Sequence, residues 1–130
     1  MVSVCGGTIE ATEGTIQSPG YPVSHEGPRR CTWYIKVPRG RRVTVNIEDF
    51  DLDNRFISPS VNELAFYNEN DFQGLLKKIS SNNEKTVDSS ENHMFIYYGS
   101  PGKTGRGFKL KFSSNEPTSM RHLLYLINIL

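Results

Sequence analysis

The sequence predicts an all-β protein, a two-layer antiparallel β-sandwich. Three observations predict it. Apolar and polar residues alternate through five short runs. Clusters of Gly, Pro, Ser and Asn separate these runs, and 130 residues are enough for one domain with one hydrophobic core. Short strands with one buried and one solvated face are typical of antiparallel sandwiches.

The clearest alternation lies on either side of a turn at residues 38–41. Before the turn, the residues predicted to face the core are Cys31, Trp33, Ile35 and Val37. After it, they are Val43, Val45 and Ile47. Polar residues or Tyr34 occupy the positions between them, so the two runs predict a β-hairpin with one buried and one solvated face.

Three later runs repeat the same period of two. Their predicted core-facing residues are Leu64 and Phe66, then Met94, Ile96 and Tyr98, then Phe108, Leu110 and Phe112. Turn-rich stretches separate them, and nothing before Ser119 shows a helical period. Each run therefore predicts one more strand.

The C-terminal tail differs in composition from the rest. After a polar loop at 113–118, residues 120–130 are abruptly apolar. A membrane-spanning helix needs about 20 apolar residues, so this segment predicts no membrane insertion. It is the start of a longer segment, an extra strand or helix that docks on the module, or an atypical terminus. Left exposed, it favours self-association. The predicted organisation is a module at 5–114 and a tail of unassigned role at 115–130.

Charge and motifs exclude several functions. The formal net charge is +1 and the pI about 7.8, which gives no field for nucleic acid. No Gly-x-Ser-x-Gly motif supports a hydrolase. The stretch from Gly99 to Gly105 fails the spacing of a phosphate-binding loop and leads into a strand. We predict no enzymatic activity and no cofactor.

The two cysteines, Cys5 and Cys31, admit two interpretations. Two free, buried thiols are one, because free cysteine behaves as a small apolar residue. A disulfide is favoured, since Cys5 lies beside Gly6 and Gly7 near a terminus, where burial is hard to arrange. A bridge to Cys31 stabilises such a chain by about 3 kcal/mol. The N-terminus has neither a basic region nor an apolar run, and we interpret Met1 as an addition to a fragment of a longer secreted chain.

A basic cluster predicts one binding surface. Its six members are Arg29, Arg30, Lys36, Arg39, Arg41 and Arg42. On the predicted hairpin they form a patch for an acidic glycan or an acidic protein. The favoured interpretation is a solvated turn with dispersed charge, partly neutralised by Glu48, Asp49 and Asp51.

Six motifs in order resemble the CUB domain family over residues 5–114. They are Cys5-Gly6-Gly7; Gly14-Thr15-Ile16-Gln17-Ser18-Pro19-Gly20-Tyr21-Pro22; Cys31-Thr32-Trp33-Tyr34-Ile35; Pro38-Arg39-Gly40; Phe50-Asp51-Leu52-Asp53; and Gly105-Arg106-Gly107-Phe108. The resemblance implies a CUB-type, jelly-roll-like sandwich in which Cys5 and Cys31 form the family's first bridge. The family's second bridge would fall near Ser58-Pro59 and Ser80, where no cysteine stands.

The resemblance also implies a calcium site in many members. The four ligand positions of that site read His25, Asp53, Asn62 and Ser100 here. Calcium prefers six to eight oxygens with several carboxylates, and one carboxylate remains, so we predict that no calcium binds. In calcium-binding members, acidic side chains held by the ion recognise the partner protein. Without the ion this recognition is lost, and we expect the partner to bind another surface.

The predicted function is a non-enzymatic, extracellular protein-interaction module of a larger secreted or membrane-anchored mosaic protein. The alternative is a module that binds heparin-like glycan through the basic cluster, and a structural spacer is a third.

Overall fold

The computed structural model describes residues 3–24, 27–52, 62–79, 85–102 and 105–115. They form nine strands, without a helix in these ranges. The strands are β1 (Ser3–Glu10), β2 (Glu13–Gln17), β3 (Arg29–Lys36), β4 (Arg42–Asp51), β5 (Glu63–Glu69), β6 (Gln73–Ile79), β7 (Thr86–Asp88), β8 (His93–Ser100) and β9 (Gly107–Asn115).

Two sheets make up the sandwich. The five-stranded sheet has the order β1-β3-β8-β5-β6, and the four-stranded sheet has the order β2-β9-β4-β7. The predicted two-layer β-sandwich is confirmed, and all five predicted strands are present. Their predicted core-facing residues are buried between the layers.

The predicted hairpin between β3 and β4 is wrong. β3 pairs with β1 and β8, whereas β4 pairs with β7 and β9, in the other sheet. The turn, in which the Arg41 amide donates to the Pro38 carbonyl at 3.3 Å, carries the chain from one layer to the other. Alternation reports which face of a strand is buried. Both strands bury that face in the same interlayer core, so the pattern fits either arrangement.

One pairing departs from the antiparallel rule. β1 runs parallel to β3, with Cys5 opposite Cys31 and Gly6 opposite Thr32. A side chain at Gly6 would collide with the Thr32 backbone, and Gly6 has a φ of 106°, which glycine alone adopts readily. The Cys-Gly-Gly motif therefore lets β1 and β3 approach closely where the disulfide forms.

The core is centred on three rings. The Trp33 and Phe108 rings meet edge to face with centroids 6.0 Å apart, and those of Tyr98 and Phe108 at 5.0 Å. Tyr98 and Phe108 are fully buried and Trp33 nearly so. Edge-to-face contacts of this kind add to the free energy of apolar burial.

The strand directions locate three regions of the surface. At the loop end lie the described residues 18–24, 49–52, 100–102 and 105–106. At the turn end lie residues 11–12, 37–41, 70–72 and 89–92, and β9 finishes there, because Asn115 pairs with Arg42. The third region is the outer face of the five-stranded sheet, which points away from the core.

Candidate interaction surfaces

The disulfide joins Cys5 and Cys31 directly across the β1–β3 pair, with Cα atoms 4.4 Å apart. Cys31 is fully buried and Cys5 partly buried. The favoured interpretation of the two cysteines is therefore confirmed. The bridge holds the first strand of the chain against the core.

Two of the four calcium-site positions lie side by side at the loop end. Asn62 directly precedes β5, Ser100 ends β8, and both are buried. The Ser100 hydroxyl donates to the Gly102 carbonyl at 2.9 Å and accepts from the Gly102 amide at 3.3 Å. An amide and a hydroxyl engaged in its own turn bring no negative charge to calcium, which prefers several carboxylates among its six to eight oxygens. His25 and Asp53, like residues 58–59 and 80, lie outside the described residues, so the lack of calcium stays a prediction.

A charged network occupies the opposite side of the loop end. Arg106 binds Asp49 through two nitrogens, Nη2 to Oδ1 at 2.8 Å and Nε to Oδ2 at 3.1 Å. Its Nη1 lies 3.3 Å from Asp51, and the Tyr21 hydroxyl donates to Asp49 at 2.6 Å. Donation from Arg106, then from Tyr21, lowers the pKa of Asp49 from 3.8 to about 2. The same hydrogen bond to Asp49 raises the pKa of Tyr21. We call these four residues the loop-end network.

The network explains the Gly-Arg-Gly-Phe motif. A side chain at Gly105 would collide with the Asp51 carboxylate, which accepts the Arg106 amide at 2.9 Å. Gly107 has a φ of 101°, and a side chain there would collide with the Ser18 hydroxyl. That hydroxyl instead accepts the buried Phe108 amide at 3.0 Å. The motif therefore joins residues 105–108 to Asp51 and Ser18 at the loop end and places Phe108 in the core.

The predicted basic cluster is divided between the two ends. Arg29 and Arg30 begin β3, while Lys36 ends it, about 20 Å away at about 3.3 Å per residue. Arg39, Arg41 and Arg42 remain with Lys36 at the turn end. The six residues therefore do not form one patch.

The turn-end arginines share an open cavity. Arg39, Arg41 and Arg42 line a space of about 470 Å³ with Ser90, Glu91 and Asn92. A neighbouring cavity of about 430 Å³ lies between Glu10, Lys36 and Arg39. Both cavities combine cations with a carboxylate, which lowers the local positive potential.

The outer face carries an aromatic row that the sequence analysis did not single out. Tyr34 in β3 is opposite Phe95 in β8, which is opposite Tyr67 in β5, which is opposite Leu75 in β6. Residues opposite one another in a ladder share a face of the sheet. The row therefore crosses four strands, about 14 Å at about 4.8 Å per strand.

Phe72 lies on top of this row. Its ring centroid is 5.1 Å from that of Phe95, 5.3 Å from Tyr97 and 5.5 Å from Tyr67. Its backbone has a φ of 62°, and Asp71 before it has a φ of 58°. A bulky residue with positive φ is a genuine outlier, which persists where the surroundings hold it. The β5–β6 turn thus folds the Phe72 ring back onto the sheet.

The resulting surface is apolar and exposed. Phe72 is 50% exposed and Leu75 58%, while Phe95 beneath Phe72 is 6% exposed. We call this surface the aromatic platform: Tyr34, Tyr67, Phe72, Leu75, Phe95 and Tyr97. Polar contacts border it, between His93 Nε2 and the Glu69 carboxylate at 3.1 Å and between Lys78 and Glu63, an ion pair, at 3.1 Å. The signal that could have found it is the run of aromatic residues at strand positions assigned to solvent.

The comparison with protein families settles the family. The CUB domain model matches residues 5–112. The chain belongs to the CUB domain family. Members of this family are extracellular, non-enzymatic modules that mediate protein interactions in larger proteins.

Curated relatives agree with this family. The chain is 34% identical over 131 residues to the cubilin homolog of Drosophila melanogaster, covering 97% of the chain and 4% of the relative. It is 33% identical over 113 residues to cubilin of Canis lupus familiaris, covering 84% of the chain and 3% of the relative. The chain thus spans a few per cent of the length of these relatives.

Solved structures show the same fold. The CUB1-EGF-CUB2 domains of rat MASP-1 superpose with a TM-score of 0.75 at 20% identity, covering 89% of this chain and 45% of that one. The MASP-1 CUB2 domain bound to Ca²⁺ superposes with a TM-score of 0.64 at 22% identity, covering 82% and 96%. Among the described residues of our chain, no three His, Cys, Asp or Glu side chains cluster as metal ligands would. No helix in that part of the chain is long and apolar enough to cross a membrane.

Proposed function

We propose that the chain is a non-enzymatic extracellular module of a longer mosaic protein, secreted or membrane-anchored, and that it binds a protein partner through the aromatic platform. The observation that carries the proposal is the exposure of Phe72 and Leu75 over a row of rings on a sheet face. Contiguous exposed apolar surface rimmed by polar residues marks protein-binding sites. The partner is a protein that presents aliphatic side chains.

The composition of the platform favours it over the loop end as the binding surface. Interfaces are enriched in aromatic residues at a desolvated centre with a polar rim. The platform has that composition, with the polar contacts of Glu69 and Lys78 at its border. At the loop end, by contrast, Asp49 and Arg106 already satisfy each other. A partner cation would have to displace the Arg106 guanidinium.

The test is a binding screen with defined proteins. The full chain is screened against a library of purified ectodomains, and each binder is measured again as a purified pair. Phe72→Asn removes the ring without adding strain, because Asn tolerates positive φ. We expect it to weaken binding about thirtyfold, the loss typical of a central hot-spot residue.

Val23→Ser is the matched control. Val23 is an apolar residue that is 69% exposed at the opposite end of the sandwich, so its removal should leave binding unchanged. Leu75→Ser provides a second platform variant if Phe72→Asn fails to fold. A library without a single binder, or a partner that binds the platform variants as tightly as the wild type, refutes the proposal.

A second candidate is a heparin-like glycan site at the turn end. The observation that favours it is the convergence of Arg39, Arg41 and Arg42 on one open cavity. Retention of the full chain on immobilised heparin at physiological salt, lost when all three become Ala, supports it. Elution below that salt concentration rejects it, and Arg29→Ala with Arg30→Ala is the control at the other end of β3.

A further inference from the structure

We propose that residues 120–130 of this same chain dock on the aromatic platform in cis. The proposal rests on the proposed function, because it names the kind of ligand the platform takes: a short aliphatic segment. Phe72 and Leu75 of the platform are exposed, and the segment is apolar in sequence. Burying each against the other removes both from water.

The composition of the segment suits such a surface. Of the eleven residues 120–130, eight are apolar: Met120, Leu123, Leu124, Tyr125, Leu126, Ile127, Ile129 and Leu130. The row of Tyr34, Phe95, Tyr67 and Leu75 is about 14 Å across at about 4.8 Å per strand. Even at the 1.5 Å rise per residue of a helix, eleven residues span about 16 Å, so the segment is long enough to cross the row.

The segment begins within reach of the platform. β9 ends at Asn115 at the turn end, and the β5–β6 turn that carries Phe72 lies at the same end. Residues 116–122 span up to about 24 Å when extended, whereas packed sheets are about 10 Å apart. The tether therefore allows Leu123 to reach the outer face. A short tether also gives an effective concentration in the millimolar range, so modest affinity suffices.

The test is to observe the contact in the full chain by NMR. Methyl-labelled protein should show nuclear Overhauser contacts from Leu123 and Ile127 to the rings of Phe72 and Tyr97. These contacts should disappear in Phe72→Asn and in the pair Leu123→Asp with Ile127→Asp. They should persist in Val23→Ser. The paired variant leaves every described side chain intact, so it keeps the test decisive if Phe72→Asn fails to fold.

Dilution separates the cis contact from a second copy. Contacts that persist unchanged over a tenfold dilution support the proposal, and contacts that vanish with dilution overturn it in favour of a second copy. A wild-type spectrum without such contacts overturns it directly. If the segment covers the platform nine-tenths of the time, the paired variant should also bind the platform's partner about tenfold more tightly.

The two proposals fail separately. No contact between segment and rings, combined with loss of the partner in Phe72→Asn, refutes the cis docking and leaves the proposed function standing. Contacts in the wild type, combined with unimpaired partner binding by Phe72→Asn, refute the platform as the partner site and leave the cis docking standing.

Discussion

Replacing Asp49 with Asn removes the carboxylate at the centre of the loop-end network. That carboxylate accepts two hydrogen bonds from Arg106, at 2.8 and 3.1 Å, and one from the Tyr21 hydroxyl at 2.6 Å. Together they lower the pKa of Asp49 from 3.8 to about 2. The ionised form is therefore stabilised by folding, and its loss should destabilise the protein.

The magnitude follows from the shift in the pKa of Asp49. A difference of nearly two pKa units corresponds to about 2.5 kcal/mol of folding free energy if fully retained. The Arg106 side chain is 54% exposed, so solvent screening reduces this contribution to about 1 kcal/mol. For a domain of this size, that lowers the melting temperature by about 4 °C.

The sign of the pH dependence is fixed by the direction of the shift. The pKa of Asp49 in the folded state lies below its unfolded value of 3.8. The stabilisation is therefore fully present above pH 4 or so, and it is lost as the pH falls through about 2. The wild type and Asp49→Asn should differ in stability at neutral pH and converge in acid.

The assay is urea unfolding followed by circular dichroism at a series of pH values. Asp88→Asn is the matched control, since it removes the same charge from an exposed carboxylate that accepts the Thr44 hydroxyl. It should change the free energy of unfolding by less than about 0.5 kcal/mol. A difference between wild type and Asp49→Asn that stays constant down to pH 2 refutes the electrostatic reasoning.

Three further predictions concern the core, the bridge and the metal. Replacing Cys5 and Cys31 together with Ala should lower the free energy of unfolding by about 2–4 kcal/mol, and an unchanged urea midpoint would show that the bridge is dispensable. Phe108→Ala should lower the free energy of unfolding by about 3–5 kcal/mol, whereas the control Lys109→Ala should lower it by less than about 0.5 kcal/mol. Similar losses for both variants would contradict the placement of Phe108 in the core. Excess calcium should leave the melting temperature where chelator leaves it, whereas a rise of several degrees would reveal a bound ion.

Alternation predicted the fold class because the buried face of a strand recurs every second residue. The runs around Trp33, Val45, Phe66, Ile96 and Leu110 are all strands with that face in the core. Pairing was not predictable in the same way. The strands on either side of Arg39 bury their apolar faces in one interlayer core. Their alternation is therefore the same whether they pair in one sheet or lie in opposite sheets.

The sequence did not predict four of the strands, because they lack the alternation of apolar and polar residues. β1 contains Gly6 and Gly7, β2 buries only Ile16 fully, and β7 has three residues. β6 begins with exposed residues up to Leu75. Tertiary contacts alone define these strands.

The candidate site was visible only in part. Tyr67, Phe95 and Tyr97 alternate along the chain with the predicted core-facing residues of their runs, but the pattern does not show that neighbouring strands align them. Phe72 lies in a turn, and its positive φ is a property of the folded backbone. The aromatic platform is therefore a result of register and turn geometry.

The central claim is that the aromatic platform is the binding surface. Cross-saturation NMR on the complex with an identified ectodomain tests it most directly, because it reports which amides lie at the interface. We predict intensity loss at Tyr67, Phe72, Leu75 and Tyr97. Loss confined to the loop end, around Asp49, residues 100–102 and Arg106, would contradict the account.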